Sequence, residues 1–167
     1  MFFKKRVPVE EYCAAKLAAV FSPDFQTRWE AIRRNCNDEH LARVPENDYL
    51  DNIRAIIIEL FLIAIGRTCK FEVSSDARVF VMYYLQEHDL SRIHALAHEY
   101  SRAFGTPSPD AVGQMVLLFG TSVTDLKFGD YAAQTLLKEF YAAFRSFFDE
   151  LRSVRLTEST QRSRYGD

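Results

Sequence analysis

The stretch AIIIELFLIAIG, residues 55–66, is the most hydrophobic segment of this 167-residue chain, and it contains a single carboxylate, Glu59. Arg54 and Arg67 bracket only twelve residues, whereas a helix that crosses a bilayer needs about 20 predominantly apolar residues. The segment is too short to span a membrane, so it predicts a core helix. No transmembrane segment is expected elsewhere in the chain.

This core helix is predicted to run from an N-cap at Asn47 or Asp48 to about Thr68. At 100° per residue, Glu59 shares one narrow line of the helix with two small and three polar residues. Those five are Ala55, Gly66, Asp48, Asn52 and Lys70. Small residues on the line would let another helix approach closely. The line therefore predicts a contact with a neighbouring helix, a partner chain or a ligand.

Two interpretations of Glu59 remain open. The favoured one is that its side chain reaches an exposed edge, or pairs with an arginine from a neighbouring helix. In the alternative, Glu59 is a polar anchor at the wall of an apolar, aromatic pocket, where burial would raise its pKa. The candidate ligand-binding residues are then Glu59, Asn52, Tyr83 and Tyr84.

Composition narrows the classes of function. Hydrophobic residues make up 48% of the chain and charged residues 26%, with only six glycines and five prolines, which is typical of a compact domain. The net charge of −2 gives no general attraction to phosphate backbones, so no nucleic-acid partner is expected. Three widely spaced cysteines predict reduced thiols. With no signal peptide apparent, the expected location is cytoplasmic, and the basic cluster 4–6 is interpreted as a solvated terminus.

Helical periodicity and capping residues predict further helices on both sides of the core helix. Residues 79–85 are β-prone by composition, but a helix is preferred because no second strand is available for pairing. Gly105 is the expected stop of the helix that contains His94. The predicted N-caps are Ser22, Asn47 or Asp48, Ser74 or Ser75, and Asp89 or Ser91. The predicted helices cover about residues 8–21, 23–36, 48–68, 75–88, 90–104, a short buried segment within 106–120, and 122–156.

The segment 122–156 predicts a long amphipathic C-terminal helix, with a bend expected near Gly129. Its apolar stripe is rich in phenylalanine and exceeds what a small neighbouring helix needs. Residues 157–167 are predicted to be a polar tail. Together the patterns predict an all-α fold, a single-domain bundle of about six to seven helices over residues 1–156.

A second candidate site is the pair His94 and His98, four residues apart on a helix, with Glu99 beside them. Two imidazoles at this spacing can share one metal ion. The HExxH arrangement of zinc hydrolases is not present, because Ala95 follows the first histidine. The amphipathic pattern places His94 at the border of the apolar face and His98 on the solvent side. Solvated surface histidines are therefore favoured over a metal site.

No catalytic or cofactor motif stands out, since a GxSxG elbow, a GxGxxG loop and a P-loop are all missing from the sequence. No cofactor is predicted. The first functional prediction is a non-enzymatic protein that acts through protein–protein interaction, as a homo-oligomer that uses the aromatic stripe or an outer face of the 48–68 helix. The alternative is a protein that binds a small apolar molecule without a carboxylate. A metal-dependent enzyme ranks third.

Overall fold

In the computed structural model, which describes residues 4–103, 110–127 and 129–160, the chain is 81% helical and has one small sheet. The predicted all-α, single-domain bundle is confirmed. The elements in chain order are β1 (Lys5–Pro8), α1 (Val9–Val20), α2 (Pro23–Cys36), α3 (Glu39–Arg43), α4 (Glu46–Thr68), α5 (Phe71–Glu87), α6 (Ser91–Ala103), α7 (Ala111–Phe119), a π-helical turn (Gly120–Thr124), α8 (Tyr131–Ser153) and β2 (Val154–Thr157).

The start of α2 follows the predicted capping chemistry. Ser22 Oγ accepts a hydrogen bond from the backbone N–H of Phe25 at 3.2 Å, and Pro23 occupies the first turn of α2. The β-prone residues 79–85 lie inside α5, so the preference for a helix there is confirmed. The predicted stop at Gly105 lies outside the described residues.

Other boundaries differ from the prediction. The segment between the predicted helices 23–36 and 48–68 contains α3, which starts where Asp38 Oδ1 accepts a hydrogen bond from the backbone N–H of Leu41. α4 begins two residues early, at Glu46 directly after Pro45. α5 begins at Phe71, before the expected caps Ser74 and Ser75, because only a two-residue connection separates it from α4.

The prediction of one long helix over 122–156 is wrong at both ends, because α8 covers only Tyr131–Ser153. α7 continues into the π-helical turn, and Asp125, at φ 59°, ends it in the left-handed conformation. Asp130 Oδ2 then accepts from the backbone N–H of Lys127 at 2.8 Å, and α8 starts only after this loop. The helix is therefore interrupted by a loop between 125 and 130, at the place where the sequence predicts only a bend.

A two-stranded parallel sheet is a further feature that the sequence does not predict. β1 pairs with β2, with Lys5 opposite Val154 and Pro8 opposite Thr157. The pairing joins segments about 150 residues apart, and neither segment is long enough to reveal a strand by alternation alone. The basic cluster at residues 4–6 and the end of the predicted C-terminal helix thus contribute to the sheet.

Residues beyond the sheet are bonded to the helical body. The backbone N–H of Ser159 donates to Asp76 Oδ2 at 2.8 Å. Thr160 donates to Glu10 Oε1 twice, from its backbone N–H at 2.9 Å and from Oγ1 at 2.5 Å. Burial acts to raise the pKa of Glu10, but these hydrogen bonds outweigh it and hold that pKa below its usual value. The first residues of the predicted polar tail are therefore anchored at α1 and α5.

Replacing Glu10 with glutamine is expected to lower the free energy of unfolding by about 2 kcal/mol at neutral pH, because hydrogen bonds to a carboxylate are lost. A carboxyl group with a lowered folded-state pKa stabilises the fold above its ordinary pKa and loses that contribution as pH falls. The difference between Glu10→Gln and the native chain should therefore fade in acid. Urea unfolding at several pH values measures it, with the exposed neighbour Glu11→Gln as the control. Equal effects of the two variants would contradict the anchoring role of Glu10.

The hydrophobic core is organised around α4, which packs against α5, α6 and α8 and buries fourteen of its 23 residues. The phenylalanine stripe of α8 is largely covered within the chain. Phe140 is fully buried and its ring stacks on Trp29 with centroids 5.0 Å apart, and Phe147 packs edge-on against Phe61 at 6.0 Å. Within the described residues, the stripe and α4 are therefore covered mainly by other helices of the same chain.

Candidate functional site

The polar line on α4 faces α6 and α5. Near its start, Arg92 on α6 forms ion pairs with Asp48, at 2.5 Å between Nη2 and Oδ1, and with Asp51, at 3.6 Å between Nε and Oδ2. Near its end, a Cβ added to Gly66 would lie 3.3 Å from Ser74 Oγ, so α5 approaches closely there. Lys70, predicted on the same line, lies beyond the end of α4 and precedes the first residue of α5.

Asn52 has a structural role in this line. Its Oδ1 accepts from the hydroxyl of Tyr100 on α6 at 2.8 Å, and its Nδ2 donates to the backbone oxygen of Asp48 at 2.8 Å. Both side chains are buried, and burial raises the pKa of Tyr100, so the phenol remains a donor at physiological pH. The amide of Asn52 is thus committed to joining α4 and α6.

Glu59 is the carboxylate at the centre of the line. It is only 4% exposed, and Arg78 Nη1 on α5 donates to its Oε2 at 3.4 Å. The structure thus pairs Glu59 with an arginine from a neighbouring helix. Burial raises the pKa of Glu59, and the charge and hydrogen bond of Arg78 offset this shift only in part. The arginine side chain itself is 45% exposed, so it reaches from solvent to the buried carboxylate.

Glu59 and Arg78 line an open cleft of about 170 Å³ between α4, α5 and α6, which we call the Glu59 cleft. Its floor is apolar and its remaining polar groups come from α6. The lining residues are Ile58, Glu59 and Leu62 from α4, Arg78, Val81, Met82 and Leu85 from α5, and His94, Ala97, His98 and Ser101 from α6.

The two candidate sites of the sequence meet in this cleft, because Glu59, His94 and His98 all line it. His94 is half-buried and His98 is exposed, as the amphipathic pattern predicts. Glu99 is exposed and is not among the lining residues. Within residues 4–103, 110–127 and 129–160, no three His, Cys, Asp or Glu side chains are arranged to hold a metal ion.

The aromatic candidates lie away from the cleft lining. The Tyr84 ring stacks on His88 with centroids 4.1 Å apart, and His88 Nδ1 lies 2.8 Å from the backbone oxygen of Tyr84. Tyr83 is half-buried on the same helix. Neither tyrosine is among the residues that line the cleft, and Asn52 is not either. Of the four predicted ligand-binding residues, Glu59 alone is at the site.

Sequence reasoning missed Arg78, Met82 and Ser101 as members of the site. A usable signal was present, since the lining residues of α5 fall at positions i, i+3, i+4 and i+7, and those of α6 do the same. The first stripe places an arginine among apolar residues, and the second places two histidines and a serine beside Ala97, at the border of the apolar face of α6. A search for polar residues on such faces would have found these side chains, although not their meeting.

Searches against protein-family models, characterised proteins and solved structures found no match to this chain. Among the described helices, none combines the length and hydropathy needed to cross a membrane.

Proposed function

We propose that this protein binds a small organic molecule in the Glu59 cleft, with an apolar part on the floor and a carboxylate facing Arg78. The observation that supports the proposal most is a nearly buried carboxylate with a raised pKa at the wall of a concave site. Convergent polar groups on an apolar floor are typical of ligand sites. The volume limits the ligand to a few heavy atoms, or to one group of a larger molecule.

The charges of the cleft favour an anionic group over the carboxylate-free ligand expected from sequence. Arg78 is half-exposed and can turn its free face to a ligand while it contacts Glu59. A guanidinium is suited to carboxylates because its donors match their planar geometry. When Glu59 is protonated it repels an anion less and can donate a hydrogen bond. We therefore expect anion binding to tighten as pH falls toward the raised pKa of Glu59.

The test is a titration with acetate, propionate, butyrate and benzoate, followed by amide chemical shifts in two-dimensional NMR. We expect saturable shifts at the lining residues, with dissociation constants near the millimolar range for ligands this small. Arg78→Gln should weaken binding at least about tenfold. The matched control is Arg102→Gln, an exposed arginine of α6 outside the cleft lining. Absence of saturable shifts with every acid, or equal weakening by both variants, would contradict the proposal.

Self-association is the second candidate function. The observation in its favour is three large side chains left exposed on neighbouring helices: Leu117 on α7, and Tyr131 and Tyr141 on α8. Light scattering at two protein concentrations, with Tyr131→Lys as the interface variant, tests it. A monomer mass at the higher concentration would exclude self-association in that range.

A further inference from the structure

A separate cavity of about 580 Å³ opens where three distant segments of the chain meet, and we call it the sheet-edge cavity. Lys4 directly precedes β1, Thr68 is the last residue of α4, and residues 69–70 form the connection between α4 and α5. The third side runs from the end of α8 through β2 to Glu158. No residue is shared with the Glu59 cleft, so this inference is independent of the proposed function.

The charges that line the sheet-edge cavity are unbalanced. Lys4, Lys70 and Arg155 are exposed and line it, whereas Glu158 is the one carboxylate among the lining residues. None of the ion pairs formed among the described residues includes any of the three cations. Three cations and one carboxylate give the lining of this space an excess of positive charge, which an anionic ligand would neutralise.

The size and backbone of the cavity suit a phosphate group. A space of this volume falls within the range of about 300–1,000 Å³ that is common for small-molecule sites. Val73, in the first turn of α5, also lines the cavity, and no side chain caps that helix. The free backbone N–H groups of the first turn add donors to the cations. The exposed Glu72 in the same turn is the nearest competing carboxylate along this helix.

We infer that the sheet-edge cavity binds a phosphate-bearing molecule through Lys4, Lys70 and Arg155. Several cations around one cavity match a group with more than one negative charge better than a single carboxylate. The phosphate can belong to a soluble molecule or to a lipid headgroup, and both present the same chemistry to these three side chains.

Cys69 provides the readout. It lines the cavity and is half-buried, whereas Cys13 and Cys36 are buried. Inorganic pyrophosphate is the probe, and alkylation of Cys69 by N-ethylmaleimide is followed by mass spectrometry. At ten times its dissociation constant, pyrophosphate should slow alkylation about tenfold, because the bound fraction is protected. An unchanged rate at saturating pyrophosphate would overturn the inference.

The variant pair is Lys70→Gln with Arg155→Gln, and the control pair is Lys5→Gln with Arg6→Gln. Both pairs remove two positive charges at the same edge of the molecule, but Lys5 and Arg6 do not line the cavity. Protection should be lost in the first pair and kept in the second. Equal loss in both would mean diffuse attraction and would overturn the inference.

Sedimentation with phosphatidylcholine vesicles, with and without phosphatidic acid, then separates the two sources of phosphate. Selective binding to vesicles that contain phosphatidic acid assigns a lipid headgroup, and no binding to either kind assigns a soluble phosphate.

Discussion

Replacing Arg78 with methionine is expected to lower the free energy of unfolding by about 3 kcal/mol at about pH 7.5. This value is the lower end of the range measured when one partner of a buried ion pair is removed. Methionine keeps much of the aliphatic volume but removes the guanidinium that contacts Glu59. The carboxylate is then left 4% exposed without its cation, and it must either remain charged or take up a proton. Urea unfolding followed by circular dichroism measures the change.

The loss in Arg78→Met should depend on pH. The folded state holds the proton of Glu59 at pH values where the unfolded chain has released it, because the folded-state pKa is raised. The contribution of Glu59 to the free energy of unfolding therefore declines as pH rises from the ordinary pKa through the raised one. Without Arg78 this decline should be steeper, so the loss should shrink as pH falls. Adding Glu59→Gln to Arg78→Met removes the buried charge and should restore most of the stability.

The control for this prediction is Arg152→Met on α8. Arg152 pairs with Asp149 at 3.2 Å, but both side chains are exposed, so its loss should cost no more than about 0.5 kcal/mol. A loss in Arg78→Met as small as this control, and independent of pH, would show that Glu59 does not depend on the arginine.

Phe140→Ala is expected to lower the free energy of unfolding by about 4 kcal/mol, through lost burial and the cavity left behind. Phe140 is fully buried and stacks on Trp29, so the substitution empties the contact between α2 and α8. Phe71→Ala is the control, since that ring is 82% exposed and should change stability by less than about 0.5 kcal/mol. Urea unfolding of both variants provides the comparison.

The same variant tests whether the phenylalanine stripe belongs to the core of one chain or to an interface between copies. If it belongs to the core, the unfolding midpoint of Phe140→Ala should not depend on protein concentration. A midpoint that rises with concentration in the native chain, together with a loss no larger than that of Phe71→Ala, would instead place Phe140 at an interface.

Local sequence patterns predicted most of the helices and singled out Glu59. Hydrophobic periodicity predicts α4 and its burial, and the line through Asp48, Asn52 and Glu59 does face neighbouring helices. Local rules also explain the start of α2, because Ser22 caps within its own turn. These features depend on residues within a few positions of one another, which a single sequence displays directly.

What the sequence could not predict depends on contacts between distant segments. Pairing of β1 with β2 joins the two ends of the described chain, and neither strand is stable by itself. Arg78 could not be predicted as the partner of Glu59, because the pairing depends on how α5 packs on α4. The excess of phenylalanine suggested a partner chain, yet α2 and α4 supply the covering surface within one chain. Composition gives the amount of apolar surface without identifying what covers it.

The most direct test of the Glu59 cleft is the carboxyl pKa of Glu59 itself, measured by carbon-13 NMR across a pH titration and assigned by the loss of its signal in Glu59→Gln. We expect a value above the ordinary 4.5 in the native chain, because burial outweighs the charge of Arg78. Arg78→Met should raise it further. A native value at or below 4.5 that does not change in Arg78→Met would contradict a buried, arginine-paired carboxylate, and with it the ligand site proposed here.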